Sequence, residues 1–150
     1  MKVATEIPIK APPETIWKIL LDFPAYEEWN RFIKSARGEA TADARVEMHM
    51  HYVGEDLRKL TGQVTGLIIP KYLSWAWTHS LGSWFMVAEH VFRIKEHEDG
   101  KVTFHQEAYY TGLGLKFRRS TIERSARLSM DKMNEDLKER VESSGGVTAS

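Results

Sequence analysis

Ser120-Thr121-Ile122-Glu123-Arg124-Ser125-Ala126-Arg127-Leu128-Ser129-Met130-Asp131-Lys132-Met133-Asn134-Glu135-Asp136-Leu137-Lys138-Glu139-Arg140-Val141-Glu142 is the stretch on which the fold turns. Ile122, Ala126, Met130, Met133, Leu137 and Val141 recur at steps of three and four, which puts them in one stripe along a helix. Arg, Lys, Asp and Glu fill the other faces, which read as solvated. The pattern predicts one long amphipathic helix over Ser120–Glu142. Ser143-Ser144-Gly145-Gly146 should end it, leaving 143–150 as a disordered tail and 1–142 as a single domain. A helix with one apolar stripe has to bury it against another layer.

That layer lies upstream, where the period changes to two. The expected strands are Phe32–Ala40, Arg45–Val53, Arg58–Ile69, Tyr72–His79, Trp84–His97 and Val102–Tyr110, joined by short turns such as Gly54-Glu55-Asp56 and Glu98-Asp99-Gly100. Turns this short imply antiparallel neighbours. Val3–Ile9 alternates in the same way and adds a seventh strand. Between it and the rest, Pro12-Pro13-Glu14 opens a helix carrying Ile16, Trp17, Leu20 and Leu21, and Asp22-Phe23-Pro24 stops it. A second short helix follows, with Tyr26 and Trp29 on one face. The expected class is therefore α+β: a curved seven-stranded antiparallel sheet, two short helices after the first strand, and a long C-terminal helix.

Alternation sorts each strand into two faces. Val46, Met48, Met50 and Tyr52 share one, with Glu47, His49 and His51 opposite. The inward sets of the next strands are Leu73, Trp75, Trp77 and His79, then Trp84, Met86, Ala88, His90, Phe92 and Ile94, then Val102, Phe104, Gln106, Ala108 and Tyr110. Pooled, these sets hold no Asp, Glu, Lys or Arg; their polar members are Tyr52, His79, His90, Gln106 and Tyr110. Of the chain's aromatic residues, most lie between Tyr72 and Phe117. Such a face either fills as a core or lines a pocket for an apolar or aromatic small molecule. The expected ligand contacts are Tyr52, Trp75, Trp77, His79, Met86, His90, Phe92, Gln106 and Tyr110 from the sheet, and Met130 and Met133 from the helix. His90 is the candidate acid–base group, because neutral imidazole both donates and accepts near pH 7. Outer Phe85, Val87 and Val91 make a second apolar face, which a homodimer contact would explain.

Composition narrows the function classes. Lys plus Arg and Asp plus Glu both number 21, so the chain has no basic excess for nucleic acid or an anionic membrane. The absence of Cys removes disulfides, thiolate nucleophiles and Cys-based metal sites. No G-x-S-x-G, P-loop or G-x-G-x-x-G motif occurs, and no acid pair falls on the inward face. His49 and His51 could offer a metal two imidazoles only if His105 or Glu107 came beside them. No metal and no cofactor is expected. With no apolar run long enough for an integral membrane segment and no secretory signal, a cytoplasmic protein is expected.

Several segments also resemble the START-like polyketide cyclase/dehydrase (SRPBCC) superfamily. They are Ala11-Pro12-Pro13-Glu14-Thr15-Ile16-Trp17-Lys18-Ile19-Leu20, Asp22-Phe23-Pro24-Ala25-Tyr26-Glu27-Glu28-Trp29-Asn30, Pro70 with Leu73-Ser74-Trp75, His90-Val91-Phe92-Arg93-Ile94, and Gly112 before the last helix. The resemblance implies the helix-grip fold, with a cavity between sheet and C-terminal helix. The family's members include lipid and hormone carriers, aromatase/cyclases, ubiquinone-binding proteins and chaperone activators, and it has no single catalytic motif. Three functions follow as expectations: a binder of a lipid-, quinone- or polyketide-like molecule, a cyclase or dehydratase using His90, or a protein-interaction module. The chain departs from the family pattern at Arg31, where Pro often follows Trp-Asn, at Ala42-Asp43-Ala44, where a glycine is usual, and at Ala108, where a polar residue is frequent.

Overall fold

The computed structural model describes residues 1–81 and 84–145, and side chains over 1–78 and 86–144. Strand β1 spans Lys2–Ile9, helix α1 Pro13–Leu21, and a 3-10 turn over Phe23–Ala25 leads into the short helix α2, Tyr26–Trp29. The strands β2 Ile33–Arg37, β3 Arg45–Met50, β4 Arg58–Ile68, β5 Tyr72–Leu81, β6 Trp84–Glu96 and β7 Val102–Gly112 follow, and helix α3 takes Leu115–Gly145. The sheet is antiparallel throughout, in the order β1-β7-β6-β5-β4-β3-β2. This is the element order expected from the two periods, and the helix-grip arrangement that the resemblance implies. Among the described residues no helix is long and apolar enough to cross a membrane.

Local chemistry explains the element ends. Pro12 stands at the N-cap of α1, Pro13 enters its first turn, and Asp22 leaves the helical region ahead of Pro24. Asn30 Oδ1 then accepts from the backbone N–H groups of Phe32 and Ile33, at 3.0 and 2.7 Å, which turns the chain from α2 into β2. Gly112 has φ of +124°, a left-handed value that lets β7 break off sharply into α3. At the departure Ala42-Asp43-Ala44, Asp43 itself takes φ of +63°, a conformation its short polar side chain tolerates better than most.

The interior is formed as the alternation assigned it. Val46, Met48, Met50, Leu73, Trp75, Trp77, Phe92, Phe104, Gln106 and Ala108 are all buried, and so is the helix stripe from Ala126 to Val141. Helix α3 lies nearest β1 and β7 and also meets α1 and α2. Burial of these large side chains at about 25 cal/mol per Å² is what holds the two layers together.

Several readings need correction. The strand expected over Phe32–Ala40 is only Ile33–Arg37, and that over Arg45–Val53 stops at Met50, because the chain turns away before the polar loop. Helix α3 begins earlier than Ser120, at Leu115, with a non-helical break at Arg118 (φ −129°, ψ 16°). It also runs past Glu142, because the Ser143 and Ser144 hydroxyls donate back to Arg140 O at 3.2 and 2.7 Å and are absorbed into the last turn. Residues 146–150 of the expected tail lie outside the described residues. The charged faces of α3 are not wholly solvated. Asp136 is only 8% exposed; Arg31 donates to it from Nε at 2.7 Å and from its backbone N–H at 2.9 Å, so the departure at Arg31 ties α2 to α3. The outer apolar face is smaller than alternation suggested: Val91 is 2% exposed, between Ser74 and Glu107 on the adjoining strands, and Val87 is half-buried. The side chain of Phe85 lies outside the described residues.

Candidate functional site

A cavity of about 330 Å³ opens at one end of the grip. Leu60 on β4, Trp77 on β5, Met86 on β6 and Tyr110 on β7 form its floor. Ile122 and Ser125 on α3 roof it, and Tyr52 closes one side. Glu55, Arg58 and Arg118 complete the lining, and Glu55 lies against both guanidinium groups, at 2.5 Å from Arg58 and 3.9 Å from Arg118. The cavity is mostly apolar and its charged groups are this one cluster, the pattern of small-molecule sites of about 300–1,000 Å³. Two more open surface grooves, of about 540 and 500 Å³, lie elsewhere, one beside Lys10–Glu14 and one over β4 and β5.

The hollow exists because α3 does not press on the floor along its first turns. Gly114 and the break at Arg118 set Leu115–Arg119 at an angle to the rest of the helix, and the stripe residue there, Ile122, is only half-buried. The loop after β3 is pinned to the helix by two serines one turn apart. The backbone N–H of Val53 donates to Ser129 Oγ at 2.8 Å, and Ser125 Oγ donates to Val53 O at 2.8 Å. Ser129 Oγ in turn donates to Ser125 O. Sequence reasoning passed over both serines, since a Ser on the polar side of an amphipathic helix looks solvated. The spacing of four was the available signal.

Two phenols face the hollow. The Tyr52 and Tyr110 hydroxyls are 3.5 Å apart, a long contact that leaves each able to turn toward a guest. Burial pushes the Tyr110 phenol up to about 12, and burial, then Tyr110, raises Tyr52 as well. Both stay protonated at neutral pH.

The residues singled out from the sequence divide into two groups. Tyr52, Trp77, Met86 and Tyr110 line the cavity. Trp75, His90, Phe92, Gln106, Met130 and Met133 lie fully buried beneath or beside it and are not on its wall. The side chain of His79 lies outside the described residues. His90 stacks on Trp75 at 5.3 Å between ring centroids, meets Phe92 edge to face at 5.1 Å, and lies 6.4 Å from the Trp77 ring. Its Nε2 is 2.9 Å from Gln106 Oε1. Gln106 Nε2 donates to Met130 O at 3.1 Å and to Asn134 Oδ1 at 2.6 Å, and Asn134 Nδ2 donates to Thr5 Oγ1 at 3.0 Å. Burial lowers the His90 ring from its ordinary 6.5 to about 4, against a smaller opposing effect of Gln106, so it is neutral near pH 7. Asn134, which lies outside the apolar stripe and which sequence reasoning did not single out, anchors this chain of bonds.

The metal question turns on strand order. His49 and His105 sit on β3 and β7, which β4, β5 and β6 separate. His49 Nδ1 is 3.0 Å from Ser35 Oγ and His105 Nδ1 is 3.0 Å from Glu6, so the two imidazoles are engaged apart.

The fold and the site together define a START-like, helix-grip protein with a ligand-sized hollow at the open end of its grip. The chain belongs to the family described as polyketide cyclase/dehydrase and lipid transport, whose model matches residues 1–142. No curated protein matches the chain. Among solved structures it is similar to a START superfamily protein from Mycobacterium smegmatis, with a TM-score of 0.75, 18% identity, and coverage of 95% of this chain and 97% of that one. It is also similar to the Zhui aromatase/cyclase from Streptomyces, with a TM-score of 0.74, 12% identity, and coverage of 95% and 93%. A Mesorhizobium loti protein shares the fold at 20% identity and a TM-score of 0.73, covering 95% and 98%. At these identities the likeness speaks for the fold.

Proposed function

We infer that the protein binds an apolar or aromatic small molecule, of lipid, quinone or polyketide type, in the cavity between Tyr52, Trp77, Met86, Tyr110 and Ile122, and that it does so in the cytoplasm. The observation that carries this is the cavity itself: about 330 Å³ of mostly apolar space, whose charged lining is the Glu55, Arg58 and Arg118 cluster. Removing the apolar surface of a guest and of these walls from water supplies the affinity. The two protonated phenols supply orientation without the desolvation cost of a buried charge. A bicyclic aromatic is the natural first probe. Titrating naphthalene should give a saturable change in tryptophan emission, in the micromolar range, that Trp77→Phe abolishes. A panel of bicyclic and tricyclic aromatics that produces no saturable change would overturn the reading.

A cyclase or dehydratase acting in the same cavity is the second reading. It draws on the likeness to an aromatase/cyclase and on His90 Nδ1, which lacks a partner among the described residues and whose ring lies 6.4 Å from that of Trp77. The two readings separate on mass: a binder returns its guest unchanged, and a dehydratase returns it lighter by one water. A protein-interaction module would need a large exposed apolar patch; of the outer residues Phe85, Val87 and Val91, Val91 is buried and Val87 half-buried.

A further inference from the structure

Five buried side-chain polar atoms lack a hydrogen-bond partner among the described residues, and two of them sit on rings stacked on each other: His90 Nδ1 and Trp75 Nε1. An unsatisfied atom of this kind is costly, so it calls for an explanation. The bonding around His90 settles its tautomer. Met130 O can only accept, so the Gln106 group facing it at 3.1 Å is the amide NH₂. Gln106 therefore turns its oxygen to the imidazole, and an oxygen 2.9 Å from Nε2 requires the ring proton to be on Nε2. Nδ1 then carries a bare lone pair. It can accept a hydrogen bond and, with the ring neutral, has none to give.

One ring stands between the cavity and this imidazole: the Trp77 indole, which lines the cavity, lies 6.4 Å from the His90 ring. Beneath the cavity is a narrow seam, too tight for a water molecule, bordered by Met50, Gly62 and Trp75. Leu60 and Trp77 line both the seam and the cavity, so these two side chains are all that both spaces share. Turning the Trp77 indole would merge the two, bring a guest to the Trp75 ring, and vacate the space that Trp77 takes beside His90.

We propose that on ligand binding the cavity extends past Trp77 to His90, and that the group received there is a hydrogen-bond donor, a phenolic or enolic hydroxyl, which donates to His90 Nδ1. This rests on the cavity-binding reading and narrows its ligand class to hydroxylated aromatics. A carbonyl or ether oxygen has no proton to offer Nδ1 and gains nothing there. A bare hydrocarbon leaves the atom unsatisfied.

The test uses the full chain, labelled with ¹⁵N-histidine, and three probes of nearly one shape: 2-naphthol, 2-methoxynaphthalene and naphthalene. The expected result is that naphthol binds roughly tenfold more tightly than the ether, the effect of one buried hydrogen bond. Naphthol alone should move the ring resonance of His90 Nδ1, with the proton still on Nε2. In His90→Phe the preference for naphthol over the ether should vanish while naphthalene still binds. The ring resonance is read on the parent protein, so the test stands even if that variant fails to fold. Binding of all three probes without preference, or of naphthol without a shift at Nδ1, overturns this inference alone. Binding of none overturns it together with the cavity reading.

Discussion

The two ends of α3 meet the same sheet and do opposite things. From Ala126 to Val141 the helix is sealed onto the sheet: Met130, Met133 and Leu137 are fully buried, Asn134 reaches Gln106 and Thr5, and Asp136 holds Arg31. From Leu115 to Ser125 the helix starts at an angle, breaks at Arg118 and roofs a hollow. The difference comes from what the helix offers the sheet. The sealed half carries a buried residue at nearly every inward step, whereas the first turns offer only Leu115 and a half-buried Ile122 below Gly114. One end supplies stability, and the space left at the other is available for a guest.

The contrast breaks most violently at Met133, which is fully buried. Met133→Asp puts an unpaired carboxylate there and should cost at least about 4 kcal/mol in urea denaturation, or prevent cooperative folding altogether. A variant that melts like the parent would mean the sealed half is not sealed.

Acid probes the same end through His90. The unfolded ring takes its proton near pH 6.5, and the folded one, held neutral by burial, only near 4. The stability this neutral ring permits is therefore intact above pH 6.5 and lost as pH falls from 6.5 to 4. The full loss is about 3 kcal/mol. His90→Phe should remove that slope from the stability curve, at a fixed cost of about 1–3 kcal/mol for the abandoned Gln106 oxygen. Parallel pH curves for parent and variant would contradict a buried neutral ring.

At the junction of the two halves, Ser125→Ala and Ser129→Ala each remove one bond from the Val53 clasp and should cost about 1 kcal/mol by thermal denaturation. Loosening that side of the hollow should also speed ligand release, read by stopped-flow fluorescence. The smallest effect on stability belongs to the hollow itself. Ile122→Trp adds bulk where there is room and should change stability by less than about 1 kcal/mol. Yet it should weaken naphthalene binding by at least roughly tenfold, because the added ring takes the guest's place.

The sequence is informative about these two ends to unequal degrees. The apolar stripe of α3 and the alternation of β3, β5, β6 and β7 are periodic signals, and burial of one face follows from them directly. A hollow has no period. Whether Trp75 and Trp77 wall a cavity or fill a core depends on how far the helix stands from the sheet, and a break at Arg118 is not written in hydrophobicity. That is why the inward set contained both kinds of residue undivided: Tyr52, Trp77, Met86 and Tyr110 on the wall, and Trp75, His90, Phe92, Gln106, Met130 and Met133 behind it. Asn134, Ser125, Ser129 and Asp136 escaped notice for a related reason. A polar residue on a polar helix face is read as wet, and only the loop or strand that comes to meet it makes it structural.

A heavy atom can locate the guest without reference to any variant. Crystals of the protein grown with 2-bromonaphthalene should show one bromine position by anomalous scattering, enclosed by Trp77, Met86, Tyr110 and Ile122 at the open end of the grip. A bromine found only in a surface groove, or none at saturating probe with Ile122 packed down on Trp77, would contradict the account.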